Sequence, residues 1–120
     1  MVAQAMTGAA VAWALARVAT LVGPGDIINV GPSGFGVYRR QQHGRLPCRV
    51  FETLARHGHL VLQCVAVVTS ASPPVTAYHF RQVAIRHRGD GACHAAPGGT
   101  VKAYVIAAPG RPPRVFVYGL

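Results

Sequence analysis

Cys93 is the residue with the clearest potential for chemistry. It lies in RHRGDGACHAAPGG, residues 86–99, with Arg86, His87 and Arg88 before it and His94 after it. Positive neighbours lower a thiol pKa and favour the nucleophilic thiolate. Cys93 is therefore the nucleophile candidate of an acyl transferase or hydrolase, with His79, His87 or His94 as its base. The opposing reading makes it a small loop or core residue. A second chemistry centres on His79, with Tyr78 and Arg81 close by. Such a set could cleave RNA without a metal, by acid–base work and phosphate stabilisation. The six histidines include one HxH pair, His57 and His59, which would share a face on a strand. Only three acids accompany them and no CxxC pair exists, so neither a metal site nor a cofactor is expected. The same shortage argues against hydrolysis by paired carboxylates.

Charge gives the broader signal. Eleven Arg and one Lys face Asp26, Glu52 and Asp90, for a net charge of +9. Most of the Arg therefore have no acidic partner within the chain, which favours an acidic partner outside it. Arg39, Arg40, Arg45, Arg49 and Arg56 form one cluster, and Arg81, Arg86 and Arg88 a second. Phe35, Tyr38, Tyr78 and Phe80 are interleaved with them. Arg grips phosphate with two hydrogen bonds, and aromatic rings stack on bases. If Tyr38 and Tyr78 faced solvent beside these Arg, single-stranded RNA would be the natural ligand. On the opposing reading the aromatics are core, the Arg form a solvated rim, and a GC-rich coding bias inflates their number. The partners this allows are RNA or another polyanion, a host protein, a membrane surface, or a second copy of the chain.

The segment GDIINVGPSGFGVYRR, residues 25–40, resembles the H-box/NC proteins related to lecithin–retinol acyltransferase. Some picornaviruses carry small members as their 2A proteins. Gly25-Asp26-Ile27-Ile28 looks like the family's opening, and Phe35-Gly36-Val37-Tyr38 like the strand that follows its histidine. In the family that histidine activates a downstream cysteine. Here its position falls on Gly34, which cannot accept a proton. Cys93 lies 59 residues after Gly34, a gap that suits the family's cysteine, but Ala92 replaces the preceding Asn. Pro97-Gly98-Gly99 would also stop the helix on which that cysteine sits. The resemblance implies a viral accessory protein in the host cytoplasm. It would support genome replication through RNA or host-factor contacts rather than turnover.

The elements that must position these residues follow from spacing and breakers. At 120 residues the chain suits one domain, 1–120, with an N-terminal helix in 1–22 and a sheet-rich body in 26–120. Val11, Leu15, Val18 and Val22 recur at helical spacing. Trp13 and Arg17, four apart, could stack or meet a membrane surface. Arg17 interrupts the apolar run and no basic residue precedes it, so neither a secretory signal nor a span is expected. Gly23-Pro24-Gly25 ends the helix. Strands are expected over 27–30, 35–40, 59–69, 75–87, 100–107 and 114–118, with 59–69 central and covered on both faces. Residues 48–54 fit a strand end or a helical turn, and 88–99 a Gly-rich loop or short helix. Short links make the pairing mostly antiparallel. The expected fold is α+β, a helix packed on a mostly antiparallel sheet of about six strands. An RNA-recognising all-β barrel with an added helix is the alternative. Three cysteines at irregular spacing point to a reducing compartment rather than a secreted disulfide framework.

Overall fold

The computed structural model describes residues 6–32, 34–39, 48–87 and 93–120. Helix α1 (Gly8–Val18) begins where the Thr7 hydroxyl accepts a hydrogen bond from the Ala10 amide at 3.1 Å, and it runs into a single 3-10 turn, Ala19–Leu21. Gly25, at φ 94°, then turns the chain. Asp26 braces this turn, its carboxylate accepting from the Gly23 amide at 2.9 Å.

Six strands follow: β1 (Ile27–Gly31), β2 (Gly34–Tyr38), β3 (Leu60–Ala71), β4 (Pro74–His87), β5 (Cys93–Ala107) and β6 (Arg114–Tyr118). They form one antiparallel sheet in the order β2-β1-β3-β4-β5-β6. Helix α2 (Cys48–Arg56) links β2 to β3. The sheet curls, so α1 touches β6 at one edge and β1 and β2 at the other. The fold is α+β, as the spacing predicts.

Each face of the sheet carries a core. On one, Val11, Leu15 and Val18 of α1 pack on Ile28, Val30, Leu62, Phe80 and Val105. On the other, Phe51 of α2 packs on Ile27, Val61 and Val83. Phe51 is the chief anchor of α2, and its burial contributes on the order of 1.5–3 kcal/mol.

Of the two readings of residues 48–54 the helical one holds: Cys48–Arg56 is a helix, and Phe51 and Leu54, three apart, reach the same surface. Other expectations need correction. Residues 93–99 are strand, not loop or helix, since Cys93–Pro97 pair with β4. The glycines there make a bulge instead: pairing jumps from Arg81↔Lys102 to Val83↔Pro97. Gly99 takes φ 85°, and the Gln82 side chain fills the gap by accepting from the Val101 amide at 3.1 Å. Strand β3 is covered on both faces only over its first part; beyond Cys64 one face opens, and Val68 is 64% exposed.

Candidate nucleic-acid interface and a cysteine–histidine cluster

The open face is built by strand register. Three cross-strand rows run over β3, β4, β5 and β6. The first is Gln63, Arg81, Lys102 and Tyr118. The second is Ala66, His79, Tyr104 and Phe116, and the third Val68, Ala77, Ile106 and Arg114. Alternation sends the intervening residues, among them Tyr78, Phe80, Ala103 and Val105, into the α1 core. Helix α2 packs on the far end of the same face, against Val61 and Val83, and leaves these rows open.

The rows combine rings with positive charge. His79 and Tyr104 stack with centroids 4.6 Å apart and planes 8° from parallel. Tyr118 meets Tyr104 edge-on at 6.1 Å, and the Arg114 guanidinium lies 5.4 Å from the Phe116 centroid. Phe116 is 37% and Tyr118 49% exposed, and Arg81, Lys102 and Arg114 are exposed. No acid stands in these rows: Asp26 is buried at the β1 turn and Glu52 pairs with His87, and these are the only acids among the described residues.

Partial burial holds the His79 pKa below its ordinary 6.5, and the positive charges of Lys102 and Arg81 push the same way. The folded state therefore favours the neutral ring. The unfolded chain takes up the proton more readily, so this contribution to stability is full above about pH 6.5 and is lost as pH falls through the folded-state pKa. The NMR titration midpoint of His79 is expected below 6.5. His79→Gln should flatten the acid side of the stability curve; a midpoint above 6.5 contradicts this.

The predicted binding residues divide. Arg81 joins the platform, while Arg39, Arg49 and Arg86 are exposed but stand outside it. Arg40, Arg45 and Arg88 lie outside the described residues. Tyr78 is buried in the α1 core, and Tyr38 packs on Phe51 at 5.0 Å, so neither offers a stacking surface beside the Arg. Tyr78 also faces away from His79 and Arg81, which breaks up the proposed ribonuclease set. On the open face the outward rings are instead Tyr104, Phe116 and Tyr118, while the exposed Phe35 lies on β2 against Trp13. The alternation in VKAYVIA and RVFVY was the available signal.

Of the neighbours the spacing suggested for Cys93, the fold keeps His87, and it brings in Cys48. It opens β5 opposite His87, the last residue of β4, and forms a disulfide with Cys48, the first residue of α2. The Cα atoms are 5.8 Å apart. His87 Nδ1 lies 3.8 Å from Cys93 Sγ, and His87 Nε2 pairs with Glu52 Oε1. Glu52 is one helical turn from Cys48, so α2 presents both to the end of the sheet. Cys48, His87 and Cys93 offer ligand atoms within 4.8 Å of one another. His94 follows Cys93 on the opposite face, and His79 lies eight residues back along β4, on the order of 26 Å away at strand rise. The histidine beside Cys93 is thus His87, not His94 or His79. Gly34 is on β2, four strand spacings from β5, on the order of 19 Å. His57 lies in the turn after α2 rather than on a strand, so it does not share a strand face with His59, whose Nδ1 is 3.2 Å from Asn29 Nδ2. Burial pushes the third thiol, Cys64, up to about 11 and keeps it protonated.

Among the described residues, no helix is long and apolar enough to cross a membrane. Comparison with family models, with curated proteins and with solved structures gave no match, so the chain is placed in no family by them.

Proposed function

We propose that this protein binds single-stranded RNA on the open face of its sheet. The observation that carries the reading is the His79–Tyr104 stack, flanked by Arg81 and Lys102 in the row on one side and Arg114 in the row on the other. A base would extend the stack, and the cations would meet the phosphates on either side. Four strands of this width suit the two or three bases that an open antiparallel sheet can stack. A protein of net charge +9 would be steered to RNA at long range, and ring stacking would hold it there. The resemblance to H-box/NC proteins fits the same role, support of genome replication in the host cytoplasm without turnover.

Fluorescence anisotropy with a short single-stranded RNA across a salt series tests this. Each phosphate contact contributes about −0.7 to the slope of log affinity against log salt. Arg81→Ala and Lys102→Ala should each flatten the slope by about that amount. Binding that ignores salt, or no binding at low salt, overturns the proposal.

A second reading rests on the line Cys93 Sγ, His87 Nδ1, His87 Nε2, Glu52 Oε1, which orders a nucleophile, a base and a group that orients the base. It requires the disulfide to be reduced. A thiol-reactive probe should then label Cys93 faster than a free peptide, and His87→Ala should slow it. Labelling no faster than the peptide removes this reading.

A further inference from the structure

We propose that the reduced protein binds one Zn2+ through Cys48 Sγ, Cys93 Sγ and His87 Nδ1, with water in the fourth position. The ligand types are right: two thiolates and an imidazole are a common zinc set. The geometry is right as well. Zn–S and Zn–N bonds of about 2.3 and 2.0 Å in a tetrahedron put sulfur and nitrogen about 3.5 Å apart. Cys93 Sγ and His87 Nδ1 are already 3.8 Å apart. Reduction lets the two sulfurs separate around an ion, and the three ligand atoms start within 4.8 Å of one another.

The second observation is Glu52. Its carboxylate accepts a hydrogen bond from His87 Nε2. That fixes the proton on Nε2 and leaves the Nδ1 lone pair directed at the sulfurs. Metal-bound histidines commonly carry a carboxylate on the outer nitrogen, where it orients the ring and raises its basicity. The only acid described outside the buried β1 turn is thus used here.

The chemistry balances. Two molecules of a small thiol reduce the Cys48–Cys93 bond, giving two protein thiols and one disulfide of the small thiol. Zinc then displaces one proton from each cysteine and forms two Zn–S bonds. The covalent tie between α2 and the β4–β5 end of the sheet is replaced by a coordinate one. Reducing compartments keep thiols free, so the zinc form belongs there and the disulfide form in oxidising surroundings. Metal and disulfide exclude each other at this site.

The full chain, reduced with a phosphine and then freed of it, should be titrated with Co2+ and competed with Zn2+. One Co2+ per chain is expected, with the visible bands of tetrahedral cobalt and a thiolate charge-transfer band that Zn2+ abolishes. The oxidised protein should bind none. Glu52→Gln should weaken binding about 10- to 100-fold at unchanged stoichiometry. His87→Ala, at a side chain 62% exposed and clear of the core, should weaken it at least as much. Cys64→Ala should leave binding intact. Zinc should also slow alkylation of Cys93. Absence of stoichiometric binding by the reduced protein, a spectrum without thiolate, or full affinity in His87→Ala overturns the site. RNA binding is measured on metal-free protein, so either proposal can fail without the other.

Discussion

Tyr104→Ala is expected to lower affinity for single-stranded RNA by about 1–3 kcal/mol, roughly fivefold to 150-fold. Tyr104 is central to the platform: it stacks on His79, touches Tyr118 and pairs across strands with Phe116. Its removal leaves a base without the ring that would carry it. The salt slope should stay near the wild-type value, because no cation is lost. Tyr104→Phe should bind nearly as well, since stacking needs the ring and not the hydroxyl. The two variants separate stacking from a general loss of fold, as does Arg49→Ala, at an exposed residue of α2 outside the platform. Equal losses in Tyr104→Ala and Arg49→Ala would place the RNA elsewhere.

Reducing the Cys48–Cys93 bond, in the absence of metal, should cost about 4 kcal/mol of stability. The two cysteines are 45 residues apart, and closing a loop of that length removes much of the freedom of the unfolded chain. Urea unfolding of oxidised and reduced protein measures the difference; a shift under about 1 kcal/mol would mean the bond constrains little. The loss should be felt first at α2. That helix is otherwise held by Phe51 and Leu54 against one end of the sheet, whereas the α1 core does not include the pair. Hydrogen exchange should therefore rise in α2 before it rises in β4 or in β5. Zinc should restore part of the lost stability.

Much of the scaffold was legible because it rests on local chemistry. The apolar positions of α1, the break at Gly23-Pro24-Gly25 and the turn between β1 and β2 each depend on residues a few places apart. The Trp13–Arg17 pair was equally readable: four apart on a helix, they meet with the guanidinium 3.7 Å from the ring centroid. Which rings face outward was not legible because alternation yields two faces and the docking of α1 decides which is covered: Tyr78 and Phe80 of β4 fall under α1, whereas Tyr104 and Phe116 fall on the other face. Strand parity, moreover, is not constant along every strand. On β5, Cys93 and Ala95 share a face with Lys102 and Tyr104, an odd-to-even switch made by the bulge around Gly98 and Gly99. A similar irregularity between Cys64 and Ala66 shifts β3. Counting in twos across either point puts the wrong residues outside.

The sequence by itself determined that this chain has an N-terminal amphipathic helix and a largely antiparallel sheet, and that it carries far more positive charge than it can neutralise internally. Those properties follow from periodicity, turn residues and composition, which need no folded coordinates. Only the tertiary structure decided which residues could act. It buried Tyr78, turned Tyr104 and Tyr118 outward, and joined Cys48, Glu52, His87 and Cys93 from three elements at one corner of the sheet. The physical reason is the same in each case. Chemistry depends on distances of 3 to 6 Å between side chains, and strand register, bulges and helix docking set those distances for residues far apart in the chain.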